Sequence, residues 1–169
     1  MIYARLTIER LLKAGVEQIA LVCSPRAGDV AAFEGIAQPE DGRIVRYSND
    51  DLFAPPASGS ARYDAMIVVP STVGTLGRIA SGAGESLIER AADVMLKERR
   101  KLLFVVRETP LSLIHLRNMT TLTEAGAVIL PASPSFYSRP GNIEELCLTV
   151  VERILVLAGV EAPHYEWGE

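Results

Sequence analysis

Cysteine is nearly absent from this sequence. Cys23 and Cys147 are the only two, each inside an apolar stretch, with no C-x-x-C spacing and no histidine pair nearby. That pattern excludes a zinc site or a disulfide framework, predicts no metal, reads both thiols as core fillers and suits a reducing cytoplasm. Long hydrophobic runs are missing as well. No stretch of about eighteen apolar residues occurs, so no membrane span is expected. The first residues lack the basic-then-apolar order of a secretion signal. Basic residues do not cluster beyond 97–101, and 17 Lys and Arg against 21 Asp and Glu leave a formal net charge of -4. A domain-wide basic footprint is what non-specific nucleic-acid binding requires, so no nucleic-acid partner is expected.

What is present is apolar and periodic. Hydrophobic residues make up 49% of the chain and the mean hydropathy is +0.20, values that predict a folded core. Helical spacing of Ile2, Leu6, Ile8, Leu11 and Leu12 predicts a helix over 2–14, ended by Gly15. Continuous apolar runs at 18–23, 65–69, 102–106 and 127–130 predict strands buried on both faces, and 43–47 an edge strand. Helices are expected near 28–36, 74–83, 87–99, 112–125 and 142–157, the last with Asn142 as N-cap. Strands alternating with helices predict one parallel sheet covered on both faces, a doubly wound α/β fold. With no repeat and no linker, residues 1–169 are expected to form a single domain, with a C-terminal tail from about 159.

In such a fold, ligands bind beyond the carboxyl ends of the strands. Ser24 follows the first strand. The hydroxyl-rich run Ser71-Thr72-Val73-Gly74-Thr75 follows the next buried one and enters a helix, which suits either simple capping or phosphate binding. Arg107 and Glu108 follow the third, as a binding pair or a solvated ion pair. A Pro-rich loop over 131–140 follows the fourth and presents Tyr137. Arg90 and Lys97, seven apart, share a helix face at about 10 Å. Arg153 sits among Val150, Val151, Ile154 and Leu155, where it either reaches an anion or snorkels to water. His115, in the helical run LIHL, reads as structural.

The blocks ASGSARYDAM, DAMIVVPSTVGTLGRIASG, LIERAADVMLKERRKLLFVVRETPLSLIHLRNM and GAVILPASPSFYSRP, in that order and spacing, resemble the UbiX-type flavin prenyltransferases. The resemblance implies a Rossmann-like (flavodoxin-like) three-layer α/β domain, assembled as a homo-oligomer, usually a dodecamer, with flavin sites between subunits. It implies transfer of a prenyl group from dimethylallyl phosphate to reduced FMN, at N5 and then C6, without a metal. The product would be the prenylated FMN cofactor of a UbiD-type decarboxylase partner. By position, Ser24, Thr72, Val73, Gly74, Thr75 and Arg90 match flavin-binding residues. Ala57, Ser58 and Gly59 match a turn walling the prenyl site. Lys97, Arg107, Tyr137 and Arg153 match the dimethylallyl phosphate pocket, Glu108 a catalytic proton-transfer residue, and Trp167 an aromatic from the tail.

Two features depart from the family pattern. Family members open with a strand and a Gly-rich turn ahead of an I-Y-A-x-x-L helix, and here that helix begins at Ile2, so the N-terminal strand is expected to be missing. Gly74 stands where many members carry Lys or Asn. Alternative readings are therefore a truncated, non-catalytic flavin-binding or assembly paralogue, and a related FMN-dependent cysteine decarboxylase.

Overall fold

The computed structural model describes residues 1–161. Twelve residues, Ile2–Lys13, form α1, and the chain leaves it through Gly15 at φ +81°, where the Gly15 and Val16 amides donate to Leu12 and Leu11 carbonyls. That double bond is the Schellman closure, and glycine reaches the left-handed conformation it needs without steric cost. Then follow β1 (Ile19–Val22), α2 (Ala27–Phe33), β2 (Ile44–Tyr47) and a short 3-10 turn at Pro55–Ala57. The rest is β3 (Ala65–Ser71), α3 (Val73–Ala80), α4 (Leu87–Lys97), β4 (Lys101–Val106), α5 (Leu113–Glu124), β5 (Val128–Pro131) and α6 (Ile143–Ala158).

All strand pairs are parallel, in the order β3-β4-β5. Alternation across β4 explains the three layers. Leu102, Phe104 and Val106 point to one face, where Leu76 and Ile79 of α3, Ala92 and Met95 of α4 and Leu122 of α5 cover them. Leu103 and Val105 point to the other, against Val150, Ile154 and Ala158 of α6. α1 packs on α6 through Leu6, Cys147, Val151 and Leu155. Full burial of each such side chain stabilises by about 1.5–3 kcal/mol.

The expectation of one continuous sheet is corrected here. Among the described residues β1 pairs only with β2, Ile19 opposite Ile44, and these two strands form a sheet separate from the three-stranded one. With one neighbour and sparse cover, β1 is half-buried throughout instead of closed on both faces. β3, a three-stranded sheet's edge, is likewise half-buried up to Ser71. Among the described residues no strand precedes α1. Two links join the small sheet to the body. Asn49, just past β2, accepts the Leu87 amide at its carbonyl (2.7 Å) and the Ile88 amide at Oδ1 (3.1 Å). Tyr63, whose phenol is raised to about 12 by burial and then by Tyr47, closes the other side. Among the described residues no helix is long and apolar enough to cross a membrane.

Candidate functional site

The carboxyl ends of both sheets carry the candidate residues, and the structure sorts them into three groups.

The first group surrounds a cavity of about 130 Å³ between the two sheets' ends. Ser24, past β1, and Thr75, in the first turn of α3, both line it, as the strand-end argument expects. Thr72 is the N-cap of α3: its Oγ1 accepts the Thr75 amide at 3.2 Å and lies 3.1 Å from Thr75 Oγ1. Gly74 is exposed and Val73 half-buried in the same turn. Capping therefore accounts for Thr72, while Thr75 faces the cavity. Asn49, Arg78, Ser86 and Glu89 add its other polar groups, and Pro25 and Ile88 its apolar ones. Asn49, Arg78, Ser86 and Glu89 do not stand out in the sequence, because three of them lie inside or before helices and Asn49 sits in an irregular turn past β2; Ser86 and Glu89 form an ordinary capping box.

Glu89 is 4% exposed. Burial pushes its carboxyl up, but the Arg78 guanidinium and the Ser86 amide and hydroxyl outweigh this and leave it below the ordinary 4.5. The cavity's donors are hydroxyls, an amide and a guanidinium. That set suits a phosphate, and the volume holds a phosphate-sized group.

The second group is the turn over 55–61 and the α4 helix beneath it. Arg90 donates from Nε to the Ala57 carbonyl (3.2 Å) and from Nη1 to Asp93 (2.7 Å). Arg100 forks onto the Gly59 and Ala61 carbonyls at 2.7 and 2.8 Å. Ala57, Ser58 and Gly59 are thus held by their backbone, with Ser58 Oγ 2.8 Å from Ser60 Oγ. Lys97 Nζ meets Glu98 Oε1 at 2.5 Å, and a side chain at Gly59 would run into that same oxygen. Lys97 first, then Arg100, holds the exposed Glu98 carboxyl below its ordinary range.

The third group lies past β4 and β5. Arg107 and Glu108 do not pair with each other. Glu108 Oε1 accepts the neighbouring Thr109 amide at 3.2 Å, and Arg107 makes no hydrogen bond or ion pair with a described residue. Burial and then Cys147 push the Tyr3 phenol above 10.0 while the Arg107 charge opposes them, so Arg107 stands within electrostatic reach of α1. Arg153 is exposed on the outer side of α6, away from the buried Val150, Val151, Ile154 and Leu155, and is equally uncommitted among the described residues. Tyr137 is also exposed, on the loop after β5. Trp167 lies outside the described residues. His115 closes the α5 capping box, its amide donating to Ser112 Oγ and its Nδ1 accepting the Ser112 amide, a structural role as the sequence suggests. Cys147 is buried in the core, whereas Cys23 is half-buried with Gln38 Nε2 at 3.9 Å.

A parallel three-layer fold with a donor-lined cavity at its strand ends defines a nucleotide- or flavin-phosphate-binding class. The model of the family described as Flavoprotein matches residues 1–155. The flavin prenyltransferase UbiX of Pseudomonas aeruginosa is 45% identical over 161 residues, covering 95% of this chain and 77% of that one. A solved structure of AnUbiX (PadA1) in complex with FMN and dimethylallyl pyrophosphate gives a TM-score of 0.87 at 42% identity, over 98% of this chain and 92% of that one. A dodecameric FMN-dependent UbiX-like decarboxylase from Escherichia coli O157:H7 gives 0.90 at 35%, over 99% and 92%. The chain belongs to the flavoprotein family, among its UbiX-type flavin prenyltransferases.

Proposed function

We propose that the chain is a flavin prenyltransferase, which joins the allyl group of dimethylallyl phosphate to reduced FMN and releases inorganic phosphate. The observation that carries this reading is the cavity that brings together Ser24, past the end of β1, and Thr75, in the first turn of α3 beyond β3, in one phosphate-sized space. Reduced flavin supplies the nucleophilic nitrogen and ring carbon. Cleavage of the allylic C–O bond places negative charge on the departing phosphate. Arg107 and Arg153, both uncommitted among the described residues, with Lys97 and Tyr137, are the groups we assign to that charge; preorganised cations and a phenol stabilise it without a metal. Glu108, engaged among the described residues by a backbone amide alone, is assigned to proton transfer. Thr72–Thr75 and Ser24 are assigned to the flavin, with Arg90 holding the Ala57–Gly59 wall to α4.

The three groups lie on separate parts of one chain, which supports a homo-oligomer whose neighbouring copies complete each site. Large apolar side chains left open on α5, Leu113 at 61% and Ile114 at 69%, supply surface for such contacts. A dodecamer like the Escherichia coli relative is our reading of the assembly, a UbiD-type decarboxylase the recipient of the product, residues 1–169 one domain, and the cytoplasm its compartment.

The test is incubation with FMN, desalting and an absorbance spectrum, then dithionite reduction and addition of dimethylallyl phosphate. Flavin retained near one per chain and converted to a prenylated product, identified by mass, supports the proposal. Flavin retained but never prenylated would remove the transferase assignment and favour a non-catalytic flavin-binding role.

A further inference from the structure

We infer that Arg78, aimed by the buried Glu89, grips the phosphate ester of the flavin and so makes the site discriminate FMN from riboflavin. This rests on the flavin reading above. Arg78 lies outside the strand-end segments, one turn into α3, yet it lines the same cavity as Ser24 and Thr75.

Its guanidinium is held in one orientation. Nε donates to Glu89 Oε1, and Nη2 donates to Thr75 Oγ1 at 3.3 Å. Nη1 makes no hydrogen bond to a described residue and stands beside Gly74, 3.6 Å from where a Cβ would project. A Cβ at Gly74 would rest in ordinary contact with that nitrogen. The donor pattern favours an anion. Glu89 is nearly closed to solvent, and its other oxygen accepts the Glu85 and Ser86 amides, both at 3.1 Å. Arg78 and Glu89 cancel in formal charge, and the half-exposed guanidinium keeps its Nη1 hydrogens to offer. Around it, Asn49 accepts the Ile88 amide at Oδ1 and keeps its amide hydrogens, and the Ser24 hydroxyl is unengaged among the described residues. Donors from three residues, Arg78, Asn49 and Ser24, thus line one space, and the single carboxylate there has its oxygens occupied. A phosphate monoester, with three acceptor oxygens and nearly two negative charges, fits that set, and a planar guanidinium meets it with parallel N–H bonds.

The experiment is a flavin-fluorescence titration of the full chain with FMN and, separately, with riboflavin. The variant is R78M/E89Q, which removes the cation without leaving a buried carboxylate unpaired; R78K is its companion. The wild type should prefer FMN. R78M/E89Q should bind FMN about tenfold or more weakly, the loss of a charge-assisted pair, while its riboflavin affinity stays within about twofold. R78K should recover part of the preference. An unchanged FMN preference in R78M/E89Q, or equal losses for both flavins, overturns the inference and leaves the flavin reading standing. A wild type that binds neither flavin overturns the flavin reading itself, and this inference with it.

Discussion

The runs IALV in β1 and LLFVV in β4 are close in apolar character and reach different environments. Leu102, Leu103, Phe104 and Val105 are fully closed to solvent, while every residue of β1 stays partly open. The difference comes from neighbours. β4 has a strand on each side and helices on both faces; β1 has one strand partner, and its sheet is tied to the body through Asn49 and Tyr63. Apolar sequence sets the tendency to be buried, and the number of covering elements sets the burial achieved. The small sheet contributes Ser24 and Asn49 to the cavity, so a weakly supported element carries part of the ligand-binding wall.

The largest effect should separate the two sheets by stability. Phe104→Ala empties a closed site and should cost about 3–5 kcal/mol, whereas Leu21→Ala, at a half-open site, should cost less than half of that. Urea unfolding of both variants measures it, and equal losses would erase the distinction.

Chemistry and binding should divide along the same line. Glu108→Gln, beyond the closed sheet, should retain FMN but slow product formation about 100-fold in single turnovers. Ser24→Ala, beyond the open sheet, should instead weaken flavin retention and leave the rate with bound flavin nearly unchanged. A Glu108→Gln protein turning over at the wild-type rate takes Glu108 out of the reaction.

Asn49→Ala tests the joint. It removes the Oδ1 acceptor of the Ile88 amide at the start of α4 and should cost about 1 kcal/mol. Hydrogen exchange should quicken in β1 and β2 and not in β4; uniform quickening would mean that the sheets open together.

Acid should act at the same joint. Glu89 sits below its ordinary 4.5 in the folded chain, so its contribution to stability is complete above that value and is lost as pH falls through the lower folded value. Glu89→Gln should flatten the stability loss below about pH 4.5, read from unfolding midpoints across an acid series. An acid limb as steep as the wild type's would show that other carboxylates dominate it.

The smallest effect is expected from Gly59→Ala. The added methyl displaces Glu98 Oε1 on a flexible, exposed side chain, so stability should change by less than about 1 kcal/mol. Its readout is the Lys97–Glu98 pair: the Glu98 carboxyl should titrate closer to its ordinary value, followed by NMR.

Much of this was legible in the residues themselves. Every helix and strand expected from apolar spacing is present, with boundaries shifted by a few residues, because periodicity of 3.6 and of 2 is a local property. Capping was legible for the same reason: Asn142, read as an N-cap, accepts the Glu145 amide, and Thr72, in a run that suited capping or phosphate binding, accepts the Thr75 amide. Ser24 and Thr75 could be named because strand ends are where this fold class binds ligands.

Other features depended on contacts distant in sequence. The split between β1 and β3 could not be read from runs of equal hydropathy, since pairing depends on which strands meet. Arg107-Glu108 looked like an ion pair and is not one, because adjacent residues at a strand end send their side chains apart. Arg153 looked embedded in an apolar stripe, yet the turn of α6 carries it outward while its neighbours face the core. Sequence by itself determined the elements, their order and their caps, for each of these is settled within a few residues of chain. Only the tertiary structure decided that Arg78, Glu89, Asn49 and Ser24 share one cavity, because Coulomb attraction, desolvation and hydrogen bonding act through space, between residues 65 positions apart as readily as between neighbours.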